Sequence, residues 1–210
     1  MTTKPPEAIA ARDIRPLRKA LFIAVIVVVM AIAAVAGSAW PPDSLIRVAI
    51  KIFGIALIFI CIVGRTWSRL YVGWHKTRHL ISAGPYSVCR NPLYSFSILG
   101  AAGAGAQSGS LAVALLVAVP VWYVLHKVAL LEEATLARLH GETFQSYLRD
   151  VPEFLPRFSL WRDAEMVEVR PGDIVKTLLE SCLLLLAVPA FALVEFYQGT
   201  GLLPIYYRLF

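Results

Sequence analysis

The sequence predicts an all-α, polytopic membrane bundle of about five transmembrane helices, with a cytoplasmic N-terminus and additional short helices on the cytoplasmic face. Three observations predict it. Of 210 residues, 58% are apolar and only 16% charged, against about 45–50% and about 25% in ordinary globular chains. Mean hydropathy is +0.68, and the apolar residues fall in long runs rather than alternating with charges. The 20 basic residues, finally, gather in blocks between those runs.

A spanning helix needs about 20 mostly apolar residues, because each rises about 1.5 Å through a core of about 30 Å. Residues 20–40 supply 21 without a charge, longer than the 7–15 residues of a signal-peptide core, so this run reads as a retained anchor. Residues 45–64 form the second span, with Arg47 and Lys51 in its first two turns, placed to snorkel to the surface. Residues 92–107 are shorter and rich in small side chains. Gly100, Gly103, Gly105 and Gly109 there read as close helix packing, not as a dinucleotide loop. Residues 111–131 make a full span carrying Pro120, His126 and Lys127. The last span centres on the uncharged residues 181–194, bounded by Glu180 and Glu195, with Pro189 as a kink to match that expected at Pro120.

Five spans put the N-terminal arm, segment 65–91 and segment 132–175 on one side, with 15 basic residues against two (Arg47 and Arg208) on the other. That asymmetry predicts a cytoplasmic N-terminus and an outer C-terminus. Positive charge is therefore topological, and nucleic acid is set aside as a partner. Arg outnumbers Lys 14 to 6 amid abundant Ala and Val, which points to a bacterial inner membrane. Cys61, Cys89 and Cys182 are odd in number and far apart, and His75 with His79 lacks further ligands, so no metal site is expected.

Both cytoplasmic segments carry more chemistry than a connector needs. Segment 65–91 interleaves Trp67, Tyr71, Trp74 and Tyr86 with basic residues, as suits the headgroup level. Segment 132–175 holds nine of the 14 acidic residues. It continues the fourth helix to His140, stops at Gly141 and resumes as a short helix over 142–149. Two motifs stand out. In Gly84-Pro85-Tyr86-Ser87-Val88-Cys89-Arg90-Asn91-Pro92-Leu93-Tyr94, Gly-Pro turns the chain, and Asn91 can cap a helix beginning at Pro92. Such a junction is either an ordinary loop-to-span entry or an anion-binding helix start. Glu132 and Glu133 sit where a helix end disfavours acids, so they either begin a solvated face or hold a cationic group.

Taken together, the motifs resemble the isoprenylcysteine carboxyl methyltransferase family of integral membrane enzymes and, more distantly, the phospholipid methyltransferases. The residues that carry the resemblance are Gly84-Pro85-Tyr86, Arg90-Asn91-Pro92 with Tyr94, Glu132-Glu133, Gly141-Glu142, Tyr147 and Val151-Pro152-Glu153-Phe154-Leu155-Pro156. It covers residues 79–158 and divides the chain into an arm with two membrane helices (1–78), a methyltransferase core (79–158) and a C-terminal linker with the fifth helix (159–210). The resemblance implies S-adenosyl-L-methionine as methyl donor, bound at the cytoplasmic end of the bundle and reached separately from a lipidic or prenylated acceptor. By position, Tyr86, Asn91, Pro92, Tyr94, Glu132, Glu133 and Tyr147 would line the donor site, and Arg90 would face the reacting centre. Asn91 stands where the prenylcysteine enzymes usually have His, and His140 and Phe144 replace common Phe and Tyr positions.

Two acceptor chemistries follow from that resemblance. A prenylcysteine-like carboxylate needs no base and would be oriented by Arg90. A phospholipid or other lipid amine must lose a proton, with Glu133 as the nearest base. A third reading is of another class: a non-enzymatic membrane scaffold or small transporter, in which the polar clusters serve topology and assembly.

Overall fold

The computed structural model describes residues 27–28, 30–32, 35–72 and 80–210. Within them the chain runs β1 (Ala36–Ser38), α1 (Leu45–Tyr71), α2 (Pro85–Val88), α3 (Pro92–Ala106), α4 (Leu111–Asp150), α5 (Pro171–Cys182), α6 (Ala187–Gly199) and β2 (Tyr207–Leu209). Among the described residues, three helices are long and apolar enough to cross a membrane, namely Leu45–Tyr71, Leu111–Asp150 and Pro171–Gly199, the last formed by α5 and α6 in line.

About half of the expected first span lies outside the described residues, and residues 27–28, 30–32 and 35 within it are helical. Its far end departs from expectation: residues 36–38 are strand rather than helix, paired in parallel with residues 207–209 near the C-terminus. Main-chain groups leaving a helix in an apolar setting need partners, and this two-stranded ladder supplies them. The third expected span is shorter than the other three. At 15 residues α3 reaches about 22 Å, short of a core of about 30 Å. It packs between α1 and α4, with its small-residue end from Gly100 to Ala106 the most buried part.

Small residues make that position possible. A methyl group added at Gly103 would fall 2.5 Å from the Gly54 carbonyl oxygen of α1, and one at Gly100 the same distance from Cys61 Sγ. On the other side, Gly105 abuts the backbone of Val113 and Ala114 in α4. Close backbone approach supplies packing where lipid tails give no hydrophobic drive between helices. Further along, Ala101, Val121 and Leu125 close the α3–α4 seam under Tyr94 and Ile98.

Arg47 and Lys51 do not snorkel. Arg47 Nη2 lies 2.9 Å and Lys51 Nζ 2.6 Å from Glu195 Oε1, so two cations of α1 share one carboxylate of α6. At the other end of α1, Arg69 pairs with Asp173 of α5 at 2.9 Å. Helix α1 also runs past its expected end at Gly64 to Tyr71, carrying Arg65 and Arg69 inside it. The last span is longer than its uncharged centre, and it tightens into a 3-10 turn at Leu183–Leu186 just before Pro189. Proline has no N–H to donate and crowds the carbonyl four residues back, which accounts for the irregular turn there. Pro120 sits inside α4.

Candidate functional site

Gly84 starts the site. Its φ of 57° belongs to the left-handed region, and a Cβ there would strike the Tyr71 ring. The turn feeds the four-residue helix α2, which presents Tyr86, and then the extended Cys89. Arg90 and Asn91 follow. Asn91 precedes Pro92 as the expected cap position of α3, but its side chain makes no cap bond; Nδ2 instead donates to Glu133 Oε1 at 3.5 Å. Its main-chain oxygen receives the Tyr94 and Ser95 N–H groups, which begin the helix.

The opposite wall comes from α4 and the chain after it. Gly141 has φ 52° and breaks the helix axis, as its position predicts, and the helix resumes at Glu142 to carry Phe144 and Tyr147 back under α2. Phe144, 1% exposed, is the anchor of this return. The Tyr147 hydroxyl donates to the Tyr86 carbonyl at 2.7 Å. The Val151-to-Pro156 stretch then zips onto the first motif. Arg90 N–H donates to Pro152 O (2.8 Å), Asn91 N–H to Glu153 O (3.2 Å) and Arg157 N–H to Val88 O (2.9 Å). Arg162 extends the zipper: its carbonyl accepts from Gly84 N–H at 2.7 Å, and its own N–H donates to Ser87 Oγ at 3.0 Å.

Residues far apart in sequence thus converge. Arg90 Nη1 lies 3.0 Å from Glu133 Oε1, both side chains about five-sixths buried (17% and 16% exposed). Tyr86 interacts electrostatically with Tyr147, Glu132, Tyr94 and Arg69. All eight sequence-predicted residues therefore belong to one end of the bundle, with Pro92 buried at the α3 start and Tyr94 on the α3–α4 seam. Burial pushes the Tyr86 phenol well above its ordinary range, with the neighbouring Tyr147 and Glu132 adding to it, and burial also raises Tyr147. Both stay neutral hydrogen-bond donors at neutral pH. Burial likewise raises the Cys89 thiol, which donates to the Glu153 and Phe154 carbonyls instead of serving as a nucleophile.

Two atoms in the cluster lie outside these contacts. Glu133 Oε2 takes part in neither the Arg90 nor the Asn91 contact. Arg90 Nε is buried without a hydrogen-bond partner. One acceptor and one donor side by side, flanked by a second carboxylate and two phenols, suit a ligand carrying an ammonium, a carboxylate and hydroxyls. S-adenosyl-L-methionine has those groups.

Sequence reasoning missed His126 and Glu153. Nδ1 of His126 lies 2.6 Å from Oε1 of Glu153, joining α4 to the zipper. The available signal was an ionisable side chain inside an apolar span, which by itself marks a functional position. His75 and His79 lie outside the described residues, and among the described residues no three His, Cys, Asp or Glu side chains group as metal ligands.

Comparison with known proteins agrees with this geometry at the family level. A phospholipid methyltransferase family model matches residues 46–143, which takes in α1 but stops before Tyr147 and the Val-Pro stretch. The nickel-cobalt-cadmium resistance protein NccN of Alcaligenes xylosoxydans xylosoxydans is 34% identical over 157 residues, 75% of this chain and 73% of that protein. The cobalt-zinc-cadmium resistance protein CzcN of Cupriavidus metallidurans is 35% identical over 128 residues; the match spans 61% of this chain and only 59% of CzcN. No solved structure matches the chain. With its motifs on one polar wall and its apolar helices around it, the chain belongs to the phospholipid methyltransferase family, in the isoprenylcysteine-methyltransferase-like group of integral membrane proteins.

Proposed function

We propose that this protein is an S-adenosyl-L-methionine-dependent methyltransferase of the bacterial inner membrane, acting on a lipidic acceptor at the cytoplasmic face. The observation that carries the reading is the Arg90–Glu133–Asn91 cluster, with Arg90 Nε and Glu133 Oε2 outside its internal contacts, beside Tyr86, Glu132 and Tyr147. Bound there, the donor supplies an electrophilic methyl on a sulfonium. Glu132 and Glu133 would hold its ammonium and ribose hydroxyls, and Arg90 Nε its carboxylate. Tyr86 and Tyr147 would flank it as neutral donors. Methyl transfer is an in-line displacement, so the protein's main contribution is to align acceptor and donor.

Two acceptors compete. Methyl esterification of a prenylcysteine-like carboxylate would use Arg90 as the orienting fork. Against it, Arg90 Nη1 already carries Glu133, and Asn91 replaces the His usual in the prenylcysteine enzymes. N-methylation of a phospholipid or other lipid amine is favoured by the phospholipid methyltransferase match. The names of the relatives concern metal resistance; we extend that setting to this chain as one in which methylation of a membrane component serves tolerance.

Calorimetric titration of the purified chain with S-adenosyl-L-methionine should show saturable binding, weakened at least tenfold in Arg90→Ala and Glu133→Ala. A folded wild type that binds no donor overturns the proposal. Labelled donor incubated with a bacterial lipid extract, and products identified by mass, then reads the acceptor.

A further inference from the structure

The His126–Glu153 pair has no part in holding the donor as described above. Its geometry is that of a proton acceptor. A carboxylate 2.6 Å from Nδ1 fixes the proton on that nitrogen and leaves the Nε2 lone pair for another partner. Trp122 stacks on the imidazole with centroids 5.7 Å apart and planes 10° from parallel, and Phe154 closes in at 6.1 Å. The ring is therefore held in orientation without being sealed, since 27% of the His126 side chain is exposed.

Position matters as much as geometry. His126 and Glu133 are seven residues apart on α4, two turns along nearly the same face. That places His126 about 10 Å further into the apolar part of the helix. Electrostatic interactions link Glu133 to both His126 and Glu153, and the main chain of Glu153 receives Asn91 N–H. The pair thus borders the candidate site on its lipid side, where an apolar acceptor arrives. Glu133 is the less available group: its carboxylate already takes Arg90 and Asn91.

We propose, resting on the methyltransferase reading above, that His126 positioned by Glu153 accepts a proton from the methyl acceptor, which is accordingly a lipid bearing an N–H or S–H nucleophile. The acceptor's lone pair forms the new bond to the methyl carbon while the donor's sulfur–methyl bond breaks and leaves its electron pair on sulfur. The acceptor's proton passes to Nε2, and Glu153 stabilises the resulting imidazolium through Nδ1–H. A carboxylate acceptor would have no proton to lose and no use for this pair.

The charged groups that face the ring are Glu153 at Nδ1 and, electrostatically, Glu133 on its own helix, where Lys127 is the next residue. The test must separate His126 from these. In the full chain reconstituted in vesicles, His126→Gln should keep wild-type donor affinity and acceptor KM. Its kcat should fall about 100-fold, and the acidic limb of its pH–rate profile should disappear. Glu153→Gln should keep that limb but displace it. Vesicles carrying phosphatidylethanolamine, a long-chain thiol or a farnesylcysteine analogue distinguish N–H, S–H and carboxylate acceptors. Nitrogen-15 NMR of the histidine-labelled protein needs no turnover: neutral His126 should carry its proton on Nδ1, and Glu153→Gln should remove that preference. A neutral ring protonated on Nε2, an unchanged pH profile in His126→Gln, or transfer to the carboxylate acceptor alone overturns the inference. Loss of donor binding by the wild type overturns the methyltransferase reading instead.

Discussion

Tyr147 carries two jobs that a phenylalanine cannot do. Its hydroxyl ties the helix beyond Gly141 to the Tyr86 carbonyl, and its ring packs on Phe144. Tyr147→Phe should cost about 1 kcal/mol of stability, the net worth of one neutral hydrogen bond, read as a lower thermal midpoint in detergent. The sign of the pH effect follows from the raised phenols. Their folded values exceed the unfolded value of about 10, so their stabilising effect is complete below about pH 10 and is lost as pH rises beyond it. Wild-type unfolding should therefore become easier above about pH 10, and the double variant Tyr86→Phe with Tyr147→Phe should lose most of that slope. A slope unchanged in the double variant would show that other groups set the alkaline limit.

Helix α3 is short because it is a wedge, and its glycines are the surfaces of that wedge. Gly103→Val would drive methyl groups into the Gly54 carbonyl and the Leu57 and Ile58 side chains. Overpacking of this kind typically costs about 1–3 kcal/mol, more where backbone must move. Gly172→Ala, with nothing within 4 Å, is the matched control and should be neutral. Gly84→Ala tests the turn that feeds α2: it adds about 1–2 kcal/mol of left-handed strain to a clash with Tyr71. Displacing α2 moves Tyr86 as well. Donor affinity should fall with stability in Gly84→Ala, whereas Gly103→Val should reduce stability first.

At the scale of the whole molecule, ion pairs among the described residues fasten the C-terminal helices to both ends of α1. At the end away from the site, Glu195 answers both Arg47 and Lys51. Glu195→Gln should destabilise by about 2 kcal/mol, less than the 3–5 kcal/mol of a fully buried pair because Glu195 is 26% exposed. Arg69→Gln at the other end removes its bond to Asp173 near the site, and should loosen α5 while lowering donor affinity only modestly. Orientation is tested by labelling. Met166→Cys, highly exposed beyond the zipper, should react with an impermeant maleimide only from the cytoplasm, and Pro42→Cys only from outside. The reverse pattern would invert the proposed topology.

How much of this was legible in the sequence differs by feature. Long apolar runs determined the membrane class, because about 20 such residues have no other stable place to go. The Gly-Pro turn, the break at Gly141 and the order of the polar motifs were equally plain, since each depends on local backbone chemistry. Even the packing role of Gly100, Gly103 and Gly105 could be read, as few other uses exist for small residues in a buried helix. Partners could not. Asn91 read as a cap and proved to reach Glu133; Arg47 and Lys51 read as snorkelling and proved to share Glu195. His126 was one polar residue in a span until the chain folded Glu153 back against it, 27 residues later. A side chain's local role follows from its own neighbours in the chain. The choice among distant partners depends on which elements the tertiary fold brings within about 3 Å, and for a desolvated charge that choice decides the energy.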